Sequence, residues 1–172
     1  MNNNRVAKFE KVCFSQYERA VENITLRNIS HEEMLENYHS INLPKRSTKG
    51  SAGYDFYADR DYVIPVGGSV VITTGIACQM NDDYVLMLFP RSGLGFKTSV
   101  RLANTAGIID SDFVNGETCG HILVKLINND YYDDIVIKRG ERFCQGVLLP
   151  FGITVDDDVD DDRAGGIGST GK

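Results

Sequence analysis

The chain is predicted to be mainly β, an antiparallel sandwich or barrel, with a short helical segment before it and a flexible arm behind it. Three observations carry this. Between residues 51 and 151 short apolar runs alternate with turn signals. No helical period interrupts those runs, which argues against alternating βαβ units. Helical spacing is confined to residues 1–43, and residues 163–172 have almost no apolar content. With 172 residues, 42% of them hydrophobic and 24% charged, the chain has ordinary globular composition and the length of one domain. A domain of this size buries roughly two-thirds of its unfolded surface, so it needs no disulfide staples. The expected division is a helical extension over 1–43, a β domain over 44–151, and an acidic linker with a Gly-rich arm over 152–172.

The elements follow in chain order. Ser15-Gln16-Tyr17-Glu18 and Ser30-His31-Glu32-Glu33 both fit the S-x-x-E capping box. Behind the first, Tyr17, Val21 and Ile24 share a helical face. Behind the second, Met34, Leu35, Tyr38 and Ile41 do the same. Pro44 closes this region. Strands are expected at Tyr54–Ala58, Tyr62–Ile64, Val70–Thr73, Ile76–Met80, Tyr84–Phe89, Ile108–Ile109, Ile122–Ile127, Ile135–Ile137 and Phe143–Pro150. Pro65-Val66-Gly67-Gly68, Asn81-Asp82-Asp83, Asn128-Asn129-Asp130 and Arg139-Gly140-Glu141 supply turns between them. The run Asp156–Asp162 repels itself and is expected to stay extended and solvated.

Charge and cysteine usage narrow the function. The net charge is −6; without that aspartate run, acids and bases balance at 18 each. A near-neutral body argues against nucleic-acid binding through a broad basic surface, while a small anionic ligand needs only a few cations. Cys13, Cys78, Cys119 and Cys144 form no C-x-x-C pair, which disfavours a zinc ribbon or a dithiol site. No run of eighteen apolar residues exists, so no membrane span is expected. Free thiols without a signal peptide point to a cytoplasmic location.

Several segments carry candidate chemistry. Gly166–Lys172 matches G-x-x-x-x-G-K but lacks the strand before it and the helix behind it that a P-loop needs. Its glycines, hydroxyls and flanking Arg163 and Lys172 can still wrap phosphate oxygens, or the segment is simply a disordered end. Pro90–Lys97 reads as an anion-binding Gly-rich loop carrying Arg91 and Ser92, or as an ordinary connection. Gly107–Phe113 places Asp110 and Asp112 two apart, as a base or metal pair or as turn-capping Asx residues. Ala52-Gly53-Tyr54-Asp55 and Arg142-Phe143-Cys144-Gln145 are weak alone. His31, His39 and His121 are too scattered to indicate a metal site, and no Ser-His-Asp or Cys-His arrangement is present.

Those five segments in one order resemble the trimeric deoxyuridine triphosphatase (dUTPase) family, over about residues 43–172. The motifs are A-G-Y-D at 52–55, P-R-S-G-L-G at 90–95, G-I-I-D-S-D-F at 107–113, R-F-C-Q at 142–145 and R-A-G-G-I-G-S-T-G at 163–171. The helical extension is similar to that of a bacterial or phage subgroup. The resemblance implies a jelly-roll subunit, a homotrimer with shared active sites, and Mg²⁺-dependent hydrolysis of dUTP to dUMP and pyrophosphate. It implies that Asp110 activates the attacking water. It implies that Asn104 reads the uracil edge with backbone groups of a 104–113 hairpin, among them Gly107 and Ile109. The Phe113 ring packs under the deoxyribose in place of the usual Tyr. Arg91, Ser92, Gly93 and Gln145 contact phosphates, and Asp55 joins the network around the metal waters. Arg163, Ile167, Gly168, Ser169 and Thr170 belong to the arm that closes over the nucleotide.

Three positions depart from the family pattern. Ile167 replaces an aromatic that stacks on the base. The strand after the third motif is expected from Gly120-His121, leaving 114–119 as a short insertion. Cys144 replaces a common Ala. Two rivals remain. A dCTP deaminase of the same fold would need a catalytic glutamate where this chain has Lys125. A non-enzymatic regulatory or structural protein would not need Asp110, Ser92 and Gln145.

Overall fold

The computed structural model describes residues 5–25, 29–163 and 165. In chain order the first elements are β1 (Ala7–Lys11), α1 (Phe14–Ile24), α2 (His31–Ser40), β2 (Tyr54–Tyr57), β3 (Tyr62–Ile64), β4 (Ser69–Thr73) and β5 (Ile76–Met80). There follow β6 (Tyr84–Pro90), α3 (Ser92–Lys97), β7 (Val100–Leu102), β8 (Gly107–Ile109), a 3₁₀ turn (Ser111–Asn115), β9 (Leu123–Asn128), β10 (Ile135–Ile137) and β11 (Arg142–Pro150). Every expected strand is present, with ends shifted by no more than a residue or so. Two strands are additional, β1 and β7, as is the short helix α3. The N-terminal segment is therefore not wholly helical. β1 lies antiparallel to β5, with Phe9 opposite Cys78.

All strand pairings are antiparallel, and none joins strands consecutive in sequence. The sheets are β1-β5, β10-β3, β2-β11-β6-β8 and β4-β9-β7. Each turn thus carries the chain into another sheet, the pattern of a jelly roll. The sheets stay separate: no closed barrel forms among the described residues. With the edge strands of the four sheets unpaired to one another, the sandwich half of the expectation holds. The segment 104–113 is a corner rather than a hairpin, because β7 pairs with β9 while β8 pairs with β6.

The helices contribute to the same core as the sheets. Tyr17 and Val21 of α1 and Met34 of α2 are buried with Phe56, Leu86, Leu126 and Phe143. A fully buried side chain of this kind is worth about 2–3 kcal/mol. The Ser30 cap is realised, its side chain accepting from the Glu33 amide. The Ser15 cap is not: Cys13 takes the extended capping conformation, and α1 begins one residue before Ser15. On α2 the buried stripe is Met34, Asn37 and Ile41, with Leu35 left exposed. Spacing by three and four from Met34 selects that stripe, and Leu35 lies about 100° around the helix from it.

A buried carboxylate fastens α1 to the sheets. Asp59, 1% exposed, accepts from the Tyr17, Tyr62 and Thr73 hydroxyls and from Arg60. Arg60 also donates to Thr25 at the end of α1. Burial pushes the Tyr17 and Tyr62 phenols up, and the Asp59 charge adds to it, so both remain donors. His121 lies alongside. It accepts from the Gly75 amide through Nε2, and burial lowers it to about 4 against a weaker opposing pull from Asp59.

Candidate functional site

The sequence-derived residues gather in two clusters at opposite ends of β6. The first is built where β2, β6 and β11 meet. Asp55 and Gln145 are opposite one another across β2 and β11, and Gln145 is also opposite Phe89 of β6. Asp55 is 7% exposed. Its Oδ1 lies 2.8 Å from Arg91 Nε, and its Oδ2 pairs with Arg142 Nη1 at 3.2 Å and accepts from Ser47 at 2.9 Å. A carboxylate so enclosed by cations fixes the direction of the Arg91 fork. Gln145 donates to the Pro90 carbonyl at 3.2 Å, which ties β11 to the start of the Arg91–Ser92–Gly93 loop. Gly53 leaves room for that side chain: a Cβ there would lie 2.5 Å from Gln145 Oε1. Ser92 and Gly93 open α3, and both are exposed.

The second cluster forms around the corner between β7 and the 3₁₀ turn. Gly107 packs its backbone against Leu88, so β8 runs close along β6. Asn104 and Asp110 flank the short β8, and both are exposed. Thr105, at φ 64°, makes the sharp turn between Asn104 and β8. The extended Asp110 leads into the 3₁₀ turn that buries Phe113. Arg163 folds back onto this corner from its own chain. Its Nη1 reaches Asp110 Oδ2 and Asp112 Oδ1, each at 3.0 Å, and its guanidinium lies 5.1 Å from the Phe113 ring centroid. A cavity of about 910 Å³ opens here, with Asp82, Asp110, Asp112 and Asp160–Asp162 in its walls and Arg163 as the one cation among its lining residues.

The clusters do not meet within one chain. Ile109 is opposite Leu86, so Asp110 lies beside Val85, six residues along β6 from Arg91. That separation is about 20 Å along a strand. Asp112, Arg142 and Ser47 are additions to the expected set. The sequence presents Asp112 as half of a carboxylate pair and Arg142 as part of a motif, and nothing in it distinguishes Ser47. Ile167, Gly168, Ser169 and Thr170 lie outside the described residues. Residues Phe151–Asp162 are exposed throughout, as expected for the acidic run. After the 3₁₀ turn, Cys119 and Gly120 adopt φ 50° and 71°, and β9 starts at Leu123. Lys125, at the position where a deaminase needs its glutamate, is exposed on β9.

Among the described residues no three His, Cys, Asp or Glu side chains gather to hold a metal ion. No helix among them is long and apolar enough to cross a membrane.

The family described as dUTPase matches residues 39–171. The deoxyuridine 5′-triphosphate nucleotidohydrolase of Lactococcus lactis subsp. lactis is 38% identical over 134 residues, covering 76% of this chain and 89% of that protein. The protein of the same name from Nautilia profundicola is 39% identical over 135 residues, with 76% and 91% covered. Among solved structures, the dUTPase of Streptococcus mutans aligns with a TM-score of 0.64 at 31% identity, over 85% of this chain and 97% of that one. The phage phi11 dUTPase of S. aureus shares the fold with a TM-score of 0.61 at 21% identity, over 80% and 96%.

Proposed function

The chain belongs to the dUTPase family, and we propose that it hydrolyses dUTP to dUMP and pyrophosphate in active sites shared between the subunits of a homotrimer. The observation that carries the shared-site reading is the division of the motif residues between the two ends of β6. A triphosphate spans far less than 20 Å, so one chain alone cannot bring Arg91 and Asp110 to one α-phosphorus. Packing the Arg91 end of one subunit against the Asp110 end of its neighbour does. Each copy then gives one half of a site and receives the other, a heterologous contact that closes into a ring.

The chemistry divides along the same line. Asp110 accepts the proton of a water as that water attacks the α-phosphorus. Asn104 and the backbone of the β7–β8 corner read the base, and Phe113 supports the sugar. Arg91, Ser92, Gly93 and Gln145 of the neighbouring subunit hold the phosphates, with Asp55 orienting Arg91. Arg163 and the residues that follow it, Ile167, Gly168, Ser169 and Thr170, close over the nucleotide and exclude bulk water.

A divalent cation fits this site, because a triphosphate entering a cavity walled by six aspartates meets strong repulsion unless its charge is offset. Mg²⁺ is the ion we propose: an ion that retains most of its waters would be held mainly by the triphosphate, and among the described residues no group of three His, Cys, Asp or Glu forms a protein cage. When bound it neutralises charge and fixes the triphosphate conformation.

The test is ³¹P NMR of dUTP, dCTP, UTP and dTTP incubated with the protein and Mg²⁺. Pyrophosphate and dUMP from dUTP, absent with Asp110→Asn, are expected. Intact dUTP would overturn the reading, and conversion of dCTP to dUTP would replace it with deamination.

A further inference from the structure

Arg163 is held far more completely than the solvated segment before it. Residues Phe151–Asp162 are all exposed, yet the Arg163 side chain is only 12% exposed. Its Nη1 donates to Asp110 and to Asp112, its Nε donates to the Gly165 carbonyl at 3.1 Å, and its guanidinium carbon lies over the Phe113 ring. Gly116 leaves the room for this: a Cβ there would lie 2.7 Å from the Gly165 oxygen. Among the described residues, none of these bonds uses Nη2. The guanidinium is therefore fixed along one side, and among the described residues its Nη2 donor group is uncommitted.

Of the two carboxylates, Asp110 must let go of Arg163 to receive a proton from water. Asp112 has no such duty. We propose that Asp112 is a positioning residue that anchors the arm. It keeps the Arg163 guanidinium seated on Phe113 in the nucleotide-free enzyme and orients Nη2 for the phosphates. It retains that hold when Arg163 releases Asp110. The proposal rests on the reading of this site as a nucleotide hydrolase. Without the anchor, closure of the arm must order Arg163 from solution, which raises the cost of nucleotide binding.

The experiment compares tryptic cleavage after Arg163 in the full-length protein with that in a peptide of residues 156–172, followed by mass spectrometry, without nucleotide. Wild type is expected to be cut more slowly than the peptide. Asp112→Asn is expected to be cut about threefold to tenfold faster than wild type at unchanged Tm, the range for losing one partly exposed charged hydrogen bond. Asp112→Glu, which keeps the charge, is expected to restore most of the protection. High salt should speed cleavage of wild type more than that of Asp112→Asn, which keeps only the Asp110 pair. In turnover, KM for dUTP rises by a similar factor in Asp112→Asn while kcat changes by less than about twofold, because only binding is impaired. Wild type cut at the peptide's rate overturns the proposal. So does unchanged cleavage in Asp112→Asn, or a fall in kcat with KM unaltered. The proteolysis needs no activity, so a protein that failed to hydrolyse dUTP would sink the functional reading while leaving the anchoring result legible.

Discussion

The two ends of β6, proposed above as the two halves of a shared site, are built differently. At the Arg91 end the polar groups are tied down in sheet: Asp55 holds two arginines and a serine, and Gln145 is pinned between two strands and a backbone carbonyl. At the Asp110 end the carboxylates stand on a corner and a 3₁₀ turn, with side chains about half exposed, held by a single arginine from the arm. Binding phosphate needs donors whose geometry is set before the ligand arrives. Activating water needs a carboxylate that can change partners during the reaction. Under the proposed function, the rigid half serves the first requirement and the adjustable half the second.

Substitutions can break this contrast. Asp110→Asn removes the proton acceptor and is expected to lower kcat by about 10²- to 10⁴-fold with little change in Tm, measured by pyrophosphate release and thermal melting. A large loss of Tm would show Asp110 to be structural instead. Asp55→Asn acts on the rigid half and should do both kinds of damage. Two arginines lose their counter-charge, so stability falls by about 2–3 kcal/mol. Misaimed Arg91 lowers kcat/KM by up to about 10²-fold.

The adjustable half has one rigid support, and its signature is pH dependence. His121 lies near the end of the loop that runs from Asp110 to β9, and burial lowers its imidazole to about 4 against a weaker opposing pull from Asp59. Above the ordinary value of 6.5 it is neutral in both folded and unfolded chains and contributes no pH dependence. Below 6.5 the unfolded chain takes up a proton that the folded chain refuses. Stability therefore falls as pH drops, by about 3 kcal/mol in total once pH reaches about 4. Denaturant titrations should show that slope flattened in His121→Gln. The smallest expected effect is Gly53→Ala, where a Cβ 2.5 Å from Gln145 Oε1 displaces that side chain. It should raise KM by about threefold to tenfold, the equivalent of one neutral hydrogen bond, with kcat almost unchanged.

The same contrast explains what could be read beforehand. The Ile/Val-rich runs from Tyr62–Ile64 to Ile135–Ile137 announce strands because each is apolar and bounded by turn residues. β1, Ala7–Lys11, carries two lysines and a glutamate in five residues, and β7 is three residues with an outward arginine. Neither has a pattern long enough to show period two, and each is a strand because of its partner. At the first helix Ser15 fits the capping motif, yet the extended capping residue ahead of α1 is Cys13. Within the proposed site, Asp110, Arg91 and Gln145 come from the resemblance carried by five motifs in one order, since each motif alone is weak. Ser47 and Arg142 on Asp55, and Asp112 on Arg163, join segments from 8 to 87 residues apart. Such pairings depend on register, and a single sequence does not state register.

The claim that each site is made of halves from two subunits is tested most directly by mixing two dead variants. Asp110→Asn and Arg91→Ala each disable one half, and each homotrimer is expected to be inactive toward dUTP. Unfolded together in equal amounts and refolded, they form trimers in which an Arg91→Ala subunit supplies Asp110 beside an Asp110→Asn subunit that supplies Arg91. About one quarter of the wild-type activity should return, the fraction of neighbouring pairs with that arrangement. If each site were built within a single chain, every site would carry one lesion and the mixture would stay inactive.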